Sequence, residues 1–233
     1  MKTGAPRALF AVSRFFVRLF VPRHRVGRTN EAPRPAVYIV HHQNLRGPLV
    51  TMAWFDVPVR LWTLSVFCDR AECFRWYRDY TFSVRFGLPK PLAAILAYPV
   101  SFYIAALMRS METIPVHRGT REVVTTIRES VRTLAGGRSL LISPDIEYTD
   151  TGSAMGEMYD GFLDLEKYYL KRTGRHLAFV PLRIDRSGRR IRVGEPVHFT
   201  GAGEFRHDKR VAYERLKREF ARLEREPETA DRE

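Results

Sequence analysis

The sequence predicts an α/β protein with a largely parallel central sheet flanked by helices. Three observations carry that expectation. Short β-branched and aliphatic runs alternate along the chain with segments of helical spacing. An apolar share of 45% over 233 residues is enough for one sizeable domain with a real core plus an appendage. No internal repeat or low-complexity tract competes with that reading.

Residues 8 to 21, ALFAVSRFFVRLFV, place Leu9, Phe10, Phe15, Phe16, Leu19 and Phe20 among two arginines, and Arg23, His24 and Arg25 follow at once. Too many charges interrupt the stretch for a membrane span. Bulky aromatics with nearby arginines suit an amphipathic helix in the headgroup layer, the alternative being a helix packed on the protein's own core, so residues 1–30 are expected to form a basic membrane-surface segment and 31–233 the α/β domain. Asn30 to Pro35 reads as a linker. Val37 to Val40 is a strand, Leu49 to Phe55 a helix, Val59 to Phe67 a second strand and Glu72 to Tyr80 a basic aromatic helix. Leu92 to Met108 has no charge, but Pro99 sits in its middle and predicts a broken helix, buried or dipping into the membrane.

Thr113 to Val116 is a short strand, and His117 to Gly119 a turn. Thr120 is placed to cap a helix reaching Leu134, which Gly136 and Gly137 end. Ser139 to Ser143 is a buried strand, and Pro144 opens the polar loop PDIEYTDTGS. Glu157 to Thr173 has helical spacing and stops at Gly174. Leu177 to Ile184 is a strand whose Pro181 predicts a sheet edge or a strand end. Arg190 to Phe199 gives one more strand, and His207 to Glu226 a charged helix with Val211, Leu216, Phe220 and Leu223 as its inner stripe.

The net charge of +13 favours a partner of opposite sign: nucleic acid, an anionic bilayer or a phosphate-bearing substrate. The positive charge is dispersed and no nucleic-acid-binding motif is present, so nucleic acid is the weaker expectation. Cys68 and Cys73 match neither a zinc pattern nor a disulfide framework and read as reduced thiols of a cytosolic protein. The arginines within the N-terminal apolar stretch break the core that a secretory signal needs. Without a Gly-x-Ser-x-Gly elbow a serine hydrolase is disfavoured, and neither a metal-ligand cluster nor a Gly-rich nucleotide loop is present, so no metal and no cofactor is expected.

The chemistry concentrates at VYIVHHQNLRGPL, Val37 to Leu49, where a strand ends on His41 and His42. A strand end fixes a side chain well, and imidazole takes a proton near neutrality without large tuning.

Four stretches, in order over residues 36 to 184, resemble the glycerolipid acyltransferase family that includes lysophosphatidic acid and glycerol-3-phosphate acyltransferases. The first, His42, Gln43, Asn44, Leu45, Arg46, Gly47 and Pro48, resembles the family's His-x4-Asp block. Ile114, Pro115, Val116, His117, Arg118 and Gly119 are similar to Ile-Pro-Val-x-Arg. Leu141 to Glu147, LISPDIE, occupies the place of Phe-Pro-Glu-Gly, and Phe179, Val180, Pro181 and Leu182 resemble the Val-Pro-Val block. The block's Asp is missing: counted from His42 its place holds Gly47, and counted from His41 it holds Arg46. The resemblance implies a divergent member or a relative with altered chemistry.

The resemblance implies acyl transfer from acyl-CoA or acyl carrier protein to a lysophospholipid hydroxyl at the cytoplasmic membrane face, with the protein peripheral. His42 is the expected general base, with His41 beside it. Asp145 or Glu147, from the loop after a core strand, is expected to fold back and orient His42, unless a backbone carbonyl does so. Arg118, with Gly119 at the turn, is expected to hold the acceptor phosphate, with Arg46 and Arg121 as further substrate-binding candidates. A relative that binds lipid without catalysis is the alternative.

Overall fold

The computed structural model describes residues 6–27, 33–117, 121–147, 149–152, 154–201 and 203–225. The chain divides into two compact units, Met1–Phe15 with Arg60–Thr126, and Phe16–Val59 with Ile127–Glu233.

In the second unit β1 (Arg25–Val26), β2 (Ala36–Val40), β5 (Ser139–Ile142), β6 (Ala178–Asp185) and β7 (Arg190–Val193) form a mixed, largely parallel sheet in the order β1-β7-β6-β2-β5. Among these strands β6 and β7 pair antiparallel, and the other neighbours pair in parallel. All five residues of β2 are fully buried, as a strand covered on both faces requires. Its Tyr38 ring meets Phe55 edge-on at 5.0 Å. Helix α2 (Arg46–Trp54) follows β2, α6 (Leu165–Thr173) ends on left-handed Gly174 as predicted, and α7 (Phe205–Arg225) buries Leu216, Phe220 and Leu223. Helix α5 (Val123–Ala135) begins at the first unit's end and continues into the second. Thr120, its expected cap, lies outside the described residues.

Several expectations for this unit change: the strand expected to reach Phe199 ends at Val193, and the stretch expected to be helical from Glu157 opens with a 3-10 turn, Asp160–Asp164, ahead of α6. Arg25 and Val26, expected in the N-terminal segment, supply the edge strand β1. Pro181, expected at a sheet edge or strand end, sits inside β6 between β2 and β7. The reason is local. The Pro181 carbonyl accepts the Gly194 N–H at 2.8 Å, so the missing Pro donor faces the side where β7 has just ended. Gly194 makes room for the ring, since a Cβ there would lie 2.8 Å from Pro181 Cγ.

In the first unit β3 (Val59–Leu64) and β4 (Ile114–Val116) pair in parallel, with Trp62 opposite Ile114. A 3-10 turn, Ser65–Phe67, takes the end of the predicted strand. Asp69 caps α3 (Arg70–Trp76) by accepting the Glu72 N–H, and the chain continues as a π-helical stretch, Tyr77–Arg85. Helix α4 (Lys90–Ser110) runs unbroken through Pro99, contrary to the predicted break. It packs beside the first half of α1 (Pro6–Phe20): Ser110 Oγ accepts the Phe10 N–H at 2.8 Å and Tyr103 donates to Ser13 at 2.9 Å. Among the described residues α4 is the one helix long and apolar enough to cross a membrane, and 22% of its most apolar window is buried.

Candidate active site

β2 and β5 are neighbours in parallel register, Ile39 opposite Ile142, so the residues that follow them emerge side by side at one edge of the sheet. His41 follows β2, and Asp145 follows β5 after Ser143 and Pro144. Their side chains meet: His41 Nδ1 and Asp145 Oδ1 share a short hydrogen bond, and both residues are buried. Asp145 Oδ2 accepts the His42 backbone N–H at 3.0 Å, so both carboxylate oxygens are held and the ring is fixed from one side. With the proton on Nδ1, the lone pair of His41 lies on Nε2. That atom is shielded from solvent and has no hydrogen-bond partner among the described residues.

The sequence expectation assigned the orienting carboxylate to His42, and the geometry gives it to His41. His42 Nδ1 accepts the Leu45 backbone N–H at 3.0 Å. A neutral His42 therefore carries its proton on Nε2, and its basic nitrogen is already engaged. The other carboxylate, Glu147, is exposed on the loop, and its carbonyl accepts the Asp150 N–H.

The turn after the His pair is unusual. Gln43, Asn44 and Leu45 all have positive φ, at 47°, 51° and 81°. Left-handed backbone at non-glycine residues costs about 1–2 kcal/mol each, so three in succession persist only because their surroundings hold them. Gln43 is buried and its Nε2 donates to the Gly152 carbonyl at 3.2 Å, linking this turn to the loop after β5. The turn brings the start of α2 back against the strand end. A Cβ at Gly47 would stand 1.8 Å from the His41 carbonyl oxygen, so only glycine fits. The Gly47 N–H donates to the His42 carbonyl at 3.1 Å.

Arg46, the place of the missing motif Asp counted from His41, is half-buried at the first position of α2. Burial, then the charge of Arg186, holds its guanidinium below its ordinary pKa. Arg118 and Gly119 lie outside the described residues. Arg121 is exposed in the turn before α5, in the first unit. Sequence reasoning missed His24, buried just ahead of β1 with its Nε2 unpartnered among the described residues. It also missed Arg186 and Arg189 in the β6–β7 turn; their only signal was a pair of arginines around a short Ser-Gly turn. Among the described residues no group of three or more His, Cys, Asp or Glu side chains is placed to hold a metal ion.

No family model matches the chain and no curated protein matches it. Among solved structures it is similar to the 1-acyl-sn-glycerophosphate (LPA) acyltransferase PlsC from Thermotoga maritima, at 15% sequence identity and a TM-score of 0.50, over 95% of this chain and 80% of that one. The shared feature at that identity is the α/β fold itself, a largely parallel sheet flanked by helices.

Proposed function

We propose that this protein transfers a fatty acyl group from an acyl thioester, on coenzyme A or acyl carrier protein, to the hydroxyl of a lysophospholipid such as 1-acylglycerol-3-phosphate. The observation that carries the reading is the contact of His41 with Asp145, which supplies from the loop after β5 the carboxylate missing from the first sequence block. His41 Nε2 takes the proton of the acceptor hydroxyl as its oxygen attacks the thioester carbonyl. The C–O bond forms, the C–S bond breaks, and the imidazolium returns the proton to the departing thiolate. Asp145 keeps the imidazole in the required tautomer and stabilises it while it is charged. The reaction needs no cofactor beyond the thioester donor. The four sequence blocks and the fold of the Thermotoga maritima enzyme support the same chemistry.

The membrane is where such an acceptor resides. On α1, Phe15, Phe16, Leu19 and Phe20 are all more than half exposed, and on α4 so are Ile95, Tyr98 and Phe102. Arg18 donates to the Ala53 carbonyl at 2.8 Å and lies over the Trp54 ring, so this arginine is tied to the protein while the phenylalanines face out. These faces suit a peripheral attachment to an anionic surface.

A second reading is a relative that binds lipid without turning it over, favoured by one observation: His41 Nε2 is shielded. Acyl transfer from labelled acyl-CoA and acyl carrier protein to a panel of lysophospholipids, with Asp145→Asn alongside, separates the two. The first reading expects turnover on at least one acceptor, reduced about 10²–10⁴-fold in the variant. No turnover on any acceptor, with vesicle binding intact, establishes the second.

A further inference from the structure

Positive charge gathers at the sheet edge that carries His41, from segments outside the four sequence blocks. β1 is parallel to β7, β7 antiparallel to β6, and β6 parallel to β2. The starts of β1 and β7 therefore lie at the edge where β2, β5 and β6 end. His24 precedes β1, Arg189 precedes β7, Arg186 follows β6, and Arg46 opens the helix after β2. Val40, the last residue of β2, stands opposite Leu182, and β6 continues to Asp185. The β6–β7 turn thus overhangs the end of β2 by three residues, about 10 Å.

Two buried polar atoms in this cluster are left over. His24 is 3% exposed; its Nδ1 lies 2.8 Å from the Pro22 carbonyl and therefore carries a proton, while Nε2 across the ring has no partner among the described residues. Arg46 Nε is likewise buried and without a partner among the described residues. Native structures rarely leave such groups unmatched. Among the described residues no carboxylate pairs with either side chain, or with Arg186 or Arg189. Arg186 donates to the Thr151 carbonyl at 2.7 Å, which stations it above the loop that follows Asp145. Burial lowers the pKa of His24, the Pro22 carbonyl opposes that, and the charges of Arg46 and Arg189 lower it further. Like charges held together in a partly buried place are complementary to an anion.

We propose that His24, Arg46, Arg186 and Arg189 form an anion site for the phosphate group of a reactant, at the same sheet edge as the His41–Asp145 pair. Naming the occupant a reactant rests on the acyl-transfer reading; the binding of phosphate does not. Arg46 supplies a fork of donors, the overhanging turn supplies Arg186 and Arg189, and His24 donates from Nε2 once protonated. The groups facing His24 are the Pro22 carbonyl and the Arg46 and Arg189 cations. A bound phosphate offsets those cations, so binding at pH above the lowered value of the free His24 is accompanied by proton uptake there.

The test is calorimetric titration of the full chain with glycerol 3-phosphate, with coenzyme A, and with glycerol as the uncharged control, in buffers of different ionisation enthalpy. We expect a phosphate-bearing probe to bind and glycerol not to. Arg46→Gln and Arg189→Gln should each weaken binding about tenfold or more, and His24→Gln should abolish the proton uptake. Arg189 is exposed, so its variant keeps the test alive if a buried substitution unfolds the protein. Binding of glycerol 3-phosphate assigns the site to the acceptor, and binding of coenzyme A alone assigns it to the donor; both support a phosphate site. The proposal is overturned if neither phosphate probe binds, or if all three variants bind as the wild type does. Intact binding without turnover on any acceptor would discard the reaction and leave the site standing.

Discussion

At the scale of single residues, two adjacent histidines have opposite electronic roles because of what reaches each ring. Asp145 holds the His41 ring at Nδ1 and leaves the Nε2 lone pair unclaimed, whereas the Leu45 N–H occupies the lone pair of His42. Gly47 keeps this arrangement together. Gly47→Ala would drive a methyl into the His41 carbonyl at 1.8 Å, and the expected outcome is a loss of at least about 1–3 kcal/mol in denaturant unfolding, together with displacement of α2. An unchanged midpoint would mean that the turn relaxes freely. The strand ending on a His pair, and the polar loop opening at Pro144, were both legible in sequence. The choice between the histidines was not, because the deciding partner lies 104 residues away and depends on β2 and β5 being neighbours. Asp208 gives a pH-dependent case. Burial opposes its charged form, but the Thr200 and Gly201 N–H groups and the Thr200 hydroxyl outweigh that and hold its carboxyl below the ordinary 3.8. Its stabilisation is complete above the unfolded value and is lost as pH falls through the lowered one. Asp208→Asn should therefore be less stable than wild type at neutral pH, with the gap closing in strong acid; a gap independent of pH would contradict this.

At the scale of elements, the sequence periodicities located most strands and helices, and the misses have local causes. Pro181 read as an edge signal because proline lacks a ladder donor, yet β6 is interior, since the missing donor faces the point where β7 stops and Gly194 admits the ring. Gly194→Ala should lower the melting temperature, because its Cβ would meet Pro181, Glu219 and Leu223 within 3.0 Å; pairing it with Pro181→Ala should restore part of the loss. No recovery would place the strain elsewhere. Pro99 read as a break, but α4 carries it within a continuous helix. As the sequence suggested, neither cysteine is joined in a disulfide. Cys73 is buried, which, with the nearby Cys68 and Asp69, pushes its thiol up to about 11, so it should resist alkylation until the protein unfolds while half-buried Cys68 reacts first.

At the scale of the whole molecule, the fold was the most legible feature, because alternating strands and helices force a sheet covered on both faces. The β1 edge strand was not, since two residues carry no periodicity. The exposed aromatics of α1 were visible as composition, but only the structure separates Phe16 and Phe20, which face out, from Arg18, which folds back on Ala53 and Trp54. Replacing Phe16, Leu19 and Phe20 with serine should weaken sedimentation with anionic vesicles without changing the unfolding midpoint; undiminished sedimentation would remove α1 from the membrane contact. The central claim is that a base relocated to His41, oriented by a carboxylate from another strand, drives acyl transfer. The most direct measurement compares folded His41→Ala and His42→Ala for transfer from acyl-CoA to lysophosphatidic acid. The account predicts that the His41 variant loses about 10²–10⁴-fold in turnover while the His42 variant retains most of it. Loss confined to the His42 variant, with the His41 variant still active, would contradict it.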